Sequence, residues 1–228
     1  MDNFLRRLKY YGIGFGIGLV FVIVLFRQKG CSWTPGNRVK SAILERIVFT
    51  DSLDEAFLSQ HKITPKILRE FIENGTISFM KSKRDGNEKR YHFHGILGSK
   101  SLDCIIAFRE KSAVVDIDFL HDDVKNYVRL KGNARPFLYK EKNWFSGKWA
   151  DYNFAEFSKS DAPEKFTKAF LKNGVMVSAA STYDNVKPNT FLKVISLDAK
   201  GGTIEYCVNT AWFQEKMEIM EIKLCKPE

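Results

Sequence analysis

Hydrophobic and polar positions change their period along this chain. From Tyr10 to Phe26 the stretch YYGIGFGIGLVFVIVLF carries no charge over seventeen residues. At about 1.5 Å per residue such a run reaches about 25 Å, close to the thickness of a hydrocarbon core. The pattern predicts a transmembrane helix over 10–26, after an N-terminal tail (1–9) and before a juxtamembrane connector (27–40) in which Thr34-Pro35-Gly36-Asn37 reads as a turn. Apolar residues then take helical spacing in SLDEAFLSQH, with a cap at Ser52, Glu55 three residues on, and a face of Leu53, Phe57 and Leu58. A second helix is predicted in ITPKILREFIENG. Thr64 suits the N-cap and Pro65 the first helical position, Ile67, Leu68, Phe71 and Ile72 share one face, and Gly75 suits a left-handed end. Alternating runs predict strands at Ile47-Val48-Phe49, TISFMKS, KRYHFHGIL, LDCIIAF and AVVDIDF, with turns at Asp85-Gly86-Asn87, Gly98-Ser99 and Glu110-Lys111.

The same order returns about a hundred residues later. APEKFTKAFLKNGVMVSAAS aligns with TPKILREFIENGTISFMKS in its proline, its helical spacing and its Asn-Gly pair, Asn173-Gly174 against Asn74-Gly75. NTFLKVISL, GTIEYCVN and MEIMEIKL then echo the three later strands. The fold class expected is α+β: an N-terminal transmembrane helix followed by two helix-plus-antiparallel-meander units, residues 41–122 and their diverged repeat 151–228. Residues 123–150 join them. That connection holds Tyr127, Phe137, Tyr139, Trp144, Phe145 and Trp149, too many aromatics for a flexible linker, and is expected to pack.

Gly12, Gly14, Gly16 and Gly18 raise the question of a phosphate-binding turn. A dinucleotide fingerprint needs its third glycine where Ile17 or Leu19 stands, and the run stays apolar instead of opening an amphipathic helix, so that reading fails. Gly12 with Gly16, and Gly14 with Gly18, each make G-x-x-x-G, a spacing that lets two membrane helices approach closely, and self-association through this helix is one expectation. No A-x-A site follows Phe26, which makes the helix an uncleaved anchor. Arg6, Arg7 and Lys9 precede it and Arg27, Lys29, Arg38 and Lys40 follow, so the positive-inside rule does not choose. A short N-terminal tail stays readily in the cytosol, and the C-terminal body is expected to be periplasmic or otherwise extracytoplasmic.

Net charge changes the picture little. Of the formal +9, residues 1–30 supply +4 from five basic groups and Asp2. The remainder fits a solvated basic face rather than a nucleic-acid groove. Four cysteines are too few for a disulfide scaffold of this length. Cys104 and Cys207 sit in strand patterns and read as buried thiols, which leaves Cys31 and Cys225 as the pair to test.

Candidate chemistry centres on His92 and His94, two apart on a predicted strand and so on one side of it. Zinc would need further ligands, and only the scattered His61, His121 and Cys104 offer themselves, so neither a metal nor a cofactor site is expected. The alternative joins these histidines to Lys83, Arg84 and Arg90 as a ribonuclease-like set, histidines as acid and base and cations on the phosphorane. Ser59-x-x-Lys62 and Ser78-x-x-Lys81 match a serine–lysine spacing without its companion motifs and are set aside. The expected function is a non-enzymatic binding or structural module of the cell envelope, with a protein or other envelope component as partner.

The anchor, GCSWTPGNRVK, ITPKILREFIENGTISFMKSK and the strands to Phe119 resemble the small membrane-anchored bacterial proteins, chiefly of Bacteroidetes, that carry the domain of unknown function DUF4258. The resemblance covers residues 5–120 best; it implies an α+β domain and no established activity. SAASTYDNVKPNTFLKVISLDAKGGTIEYCVN also looks like the middle of a double-psi barrel of the rare-lipoprotein-A type. There Ser181 replaces the expected histidine and Thr210 the acid, so peptidoglycan cleavage is not implied.

Overall fold

The computed structural model describes residues 2–28, 34–97, 99–119, 121–127, 133–147, 162–177, 181, 189–197, 203–213 and 215–225, and the chain divides into two compact units, Met1–Ser41 and Ala42–Glu228. In the first, α1 (Asp2–Gln28) takes in the stretch expected as a tail, because nothing between Asp2 and Lys9 breaks a helix. Its window Arg7–Val24 has a mean hydropathy of 1.5 and no buried residue, so the helix is long and apolar enough to cross a membrane. A Cβ built at Gly12, Gly14, Gly16 or Gly18 meets nothing within 4 Å. The predicted Thr34–Asn37 turn opens a helix instead, α2 (Pro35–Leu44), with Asn37 N–H donating to Thr34 Oγ1 at 3.4 Å. Proline at a first helical position keeps a geometry the helix needs.

The second unit is α+β. Its described elements run β1 (Ile47–Asp51), α3 (Ser52–Gln60), α4 (Pro65–Asn74), β2 (Thr76–Lys83), β3 (Glu88–Leu97), β4 (Lys100–Arg109), β5 (Val114–Asp118), β6 (Asn133–Leu138), β7 (Phe145–Ser146), α5 (Ala162–Asn173), β8 (Val175–Val177), β9 (Asn189–Leu197), β10 (Thr203–Phe213) and β11 (Lys216–Leu224). One mixed sheet holds all these strands in the order β2-β3-β4-β5-β1-β6-β8-β9-β10-β11-β7. β2 to β5 form an antiparallel run closed by β1, parallel to β5; β8 to β11 form a second, closed by β7, parallel to β11. β6 joins them, antiparallel to both β1 and β8. The aromatic connection thus contributes two strands, and β8–β11 lie in a linear run rather than a double-psi barrel.

Paired residues share a face, so register tells which side each helix covers. Arg90, Ala107, Asp116 and Phe49 form one cross-sheet row, and Phe49 packs against Phe170 of α5, ring centroids 6.2 Å apart. Phe93, on the opposite side of β3, packs against Phe71 of α4 at 5.6 Å. α4 and α5 therefore cover opposite faces. Under α5 lies the larger core, with Ile47, Phe49, Trp144, Phe145, Phe166, Met176, Val208 and Met217.

Two caps differ from expectation. Asp51, not Ser52, caps α3, its carboxylate accepting from Leu53 and Asp54 N–H; the end of β1 orients this neighbour rather than the serine. Gly75 is extended, φ −66° and ψ 169°, not left-handed. Close approach is what requires glycine there. A Cβ would lie 2.7 Å from the Phe71 carbonyl oxygen and against the Phe93 ring, and at Gly174 it would strike the Phe170 carbonyl and ring. Each glycine N–H also donates to that phenylalanine, at 2.8 Å for Gly75 and 2.6 Å for Gly174. Gly75→Ala and Gly174→Ala are each expected to lower stability by about 1–3 kcal/mol through overpacking. Denaturant midpoints equal to the parent's would contradict this.

The cysteine expectation is corrected. Cys207 is not a free thiol: it is bonded to Cys225, with a Cα separation of 5.0 Å. The β10–β11 register sets Cys207 opposite Lys223, two residues before Cys225, whose N–H donates to Glu205 O at 2.9 Å. Cys31 lies outside the described residues. Arg46, 3% exposed, was not singled out by sequence, yet it donates to Ser112 O at 2.8 Å, Glu110 O at 2.6 Å and Ala42 O, and pairs with Glu215 at 2.9 Å. It ties the β4–β5 and β10–β11 turns together.

Candidate functional site

In the first half the helices cover only the Tyr91 and Phe93 side of the sheet, and the other side collects polar groups. Rows across it read Ser78, His92, Ile105, Asp118 and, next to it, Thr76, His94, Asp103. The two histidines do share a face, as their spacing predicts. His94, over half exposed, places Nδ1 3.0 Å from Asp103 Oδ1, and buried His92 places Nε2 3.6 Å from the same oxygen. Nδ1 of His92 is buried with no hydrogen-bond partner. Asp103 was missed by sequence reading: it lies nine residues from His94, and only the β3–β4 register brings it across. Its oxygen engages both rings, a pairing that links two imidazoles through one carboxylate rather than a set of ligands around a common point. No group of three or more metal-ligating residues occurs among the described residues.

The other residues offered for this chemistry point elsewhere. His61 Nδ1 lies 2.9 Å from Phe57 O, and its ring sits 4.4 Å from that of Phe57. His121 Nδ1 lies 2.9 Å from Asp118 Oδ2. Cys104 faces the helices, fully buried, and burial pushes its thiol well above the usual range. Of the cations, Arg84 stacks over Phe79 on the opposite face, at 5.7 Å. Arg90 is on the histidine side but is engaged: Nε pairs with Glu88 at 2.9 Å, Nη1 donates to Val124 O at 3.3 Å, and the guanidinium lies 4.8 Å over Tyr127. Lys83 is exposed opposite Arg90 on β2. Arg90 thus holds Val124 and Tyr127, and the charged group that contacts both histidine rings is a carboxylate.

A second polar cluster marks the C-terminal ends of the parallel pair β1 and β5. Asp51, Asp54, Asp116 and Asp118 are all buried there. Asp54 accepts from Phe119 N–H at 3.3 Å, and Asp116 from the Tyr127 hydroxyl at 2.9 Å. Burial pushes Asp54 up to about 7; the Phe119 hydrogen bond opposes this and the neighbouring aspartates reinforce it. Burial likewise raises Asp116 to about 7, opposed by Tyr127 and reinforced by Asp51. Tyr127 is driven well up by its own burial and by Asp116. A cavity of about 600 Å³ opens beside His94, lined also by Ile67, Glu70, Asn74, Thr76 and Ile96.

The second half carries no counterpart of these histidines. Ser181 Oγ donates to Val177 O at 2.8 Å, and Thr210 is fully buried. The chain matches no known protein family, no curated protein and no solved structure.

Proposed function

We propose that this chain is a single-pass membrane protein that holds, outside the cytosol, a non-enzymatic binding module of the cell envelope built from two diverged copies of one unit. The observation that carries the reading is α1, uncharged from Tyr10 to Phe26 and unburied throughout its apolar window. A signal sequence would share that length and apolarity; retention of residues 1–28 in the mature chain distinguishes the two. The Cys207–Cys225 bond supports an oxidising compartment for the body. The space beside Gly12 and Gly16 on one side of the helix, and beside Gly14 and Gly18 on the other, leaves room for a second copy of the helix.

Duplication is supported by topology. Each half has a first strand, a helix ending in a tight Phe-x-x-x-Gly turn, and an antiparallel run whose last strand pairs parallel with that first strand, while α3 has no counterpart among the described residues of the second half. The strand order is kept from one half to the other, while every direction is reversed, since β1 and β8 are both antiparallel to β6 and β2 is opposite to β1. A half-turn about an in-plane axis across the strands does this and must also exchange the faces. The opposite siting of α4 and α5 is what that operation requires.

The ribonuclease-like alternative has one observation in its favour, the hydrogen-bonded His94–Asp103 pair. Against it, a carboxylate lies where a phosphorane needs cations. RNA incubated with the full chain in detergent, with and without divalent metal, is expected to stay intact. Hydrolysis that disappears in His92→Ala or His94→Ala would overturn the binding reading.

A further inference from the structure

We infer that residues 121–127 are a pH-sensitive strap, closed in acid over an apolar strip of β4 and released towards neutral pH. The strip is Ile105 and Ala107. Register sets them beside His92 and Arg90, on the side of the first half that α4 does not cover. Both are almost fully buried, yet they stand apart from the core under α5. Among the described residues, the apolar side chains clustered with them are Val124 and Tyr127. A short irregular segment, rather than a helix, therefore covers the strip.

The segment is tied down by polar groups. Its backbone–backbone hydrogen bond among the described residues is internal, from Asn126 N–H to Asp123 O at 2.9 Å. Three side-chain contacts join it to the strands. The Tyr127 hydroxyl donates to Asp116 Oδ2 at 2.9 Å, Arg90 Nη1 donates to Val124 O at 3.3 Å, and His121 places Nδ1 2.9 Å from Asp118 Oδ2. Few apolar contacts and no ladder put such a segment among the parts of a fold that open first.

Two of the three ties change with protons. Asp116 is buried, and burial raises its carboxyl to about 7, opposed by the Tyr127 hydrogen bond and reinforced by Asp51 of β1. Asp54 of α3 and Asp118 of β5 add to the acidic surroundings, while β4 contributes uncharged Ala107. The cation facing the pair is Arg90 of β3, whose Nε is taken by Glu88. Asp122, Asp123 and Lys125 of the segment itself are exposed. Opening lets water reach Asp116 and returns it towards the ordinary 3.8. The closed form thus holds the proton more tightly: its advantage is complete below about pH 4 and is lost as pH rises to about 7. Protonation of His121 turns its contact with Asp118 into an ion pair, which acts in the same direction. Arg90 keeps its charge throughout, so it fixes where the segment closes rather than when.

Trypsin reads the segment through Lys125. The full chain in nonionic detergent is cut alongside an unstructured peptide carrying the same bond, which cancels the protease's own pH dependence. Cleavage after Lys125, relative to the peptide, is expected to rise about tenfold or more from about pH 5.5 to about pH 8, while the bond after Lys89 in β3 stays intact. Asp116→Asn keeps an acceptor for Tyr127 and cannot ionise, so its rise should be below about threefold. Arg90→Gln should speed the cut at both pH values and leave their ratio within about twofold of the parent's. A relative rate that does not change with pH would overturn the strap, as would an undiminished rise in Asp116→Asn. Cleavage after Lys89 at the same rate would also overturn it, because the whole body would then be opening. These outcomes are independent of the membrane anchor and of any partner, so the strap and the binding-module reading fail separately.

Discussion

Phe49→Ala is expected to lower the stability of the body by about 3–5 kcal/mol, a large part of what holds a domain together. Phe49 is fully buried on β1, the strand that joins β5 to β6 and so the two antiparallel runs to each other. Its ring faces Phe170, which in turn meets Phe145 edge-on at 5.1 Å, with Phe166 on the other side of Phe145 at 4.8 Å. Removing the ring leaves a cavity that a central strand cannot collapse into, because both its neighbours are held by ladders. Phe170→Ala should cost a similar amount, and the double variant less than the sum, since the two rings fill one space. Denaturant unfolding reads all three. A loss below about 1 kcal/mol for Phe49→Ala would mean that the two runs are not joined through this core.

The second large effect is on pH. Asp54 and Asp116 both have folded-state values raised to about 7 from an ordinary 3.8. At these two sites the folded protein therefore binds more protons than the unfolded chain between about pH 4 and 7, and the stability they contribute is fully present below that range and is lost as pH rises through it. The gap corresponds to about 4 kcal/mol per carboxyl as an order of magnitude. The two share Asp51 as a neighbour, so the effects do not simply add. Asp116→Asn keeps an acceptor for the Tyr127 hydroxyl and removes the charge. It should be more stable than the parent at pH 8 and show a shallower fall of stability from pH 4 to 7. An Asn variant whose pH dependence equals the parent's would contradict the placement of Asp116 in a dry site.

What could be read from sequence was set by local patterns. Thr64 and Pro65 begin α4 where a cap and a first-turn proline should, and Tyr91 and Phe93 turn inward from β3 as their alternation requires. What could not be read depends on register between distant segments. Asp103 reaches His94 only because β3 and β4 pair as they do, and Cys207 meets Cys225 only because β10 and β11 do. β6 is a strand with Pro136 inside it, and β7 has two residues, so neither has a pattern of its own; each exists through the strand beside it. Asp51 and Ser52 are equally good caps by type, and the path of β1 decides between them. Asn74-Gly75 and Asn173-Gly174 were visible as matching pairs, whereas the reason for glycine, a phenylalanine one helical turn back, is visible only in the packing.

The central claim is that a membrane helix holds the body outside the cytosol, and the most direct test is a compartment-sensitive reporter fused after Glu228 of the full chain. The account predicts extracytoplasmic signal from a membrane-bound fusion of full length, residues 1–28 included. Cytosolic signal would contradict it, as would a released fusion lacking the N-terminal helix.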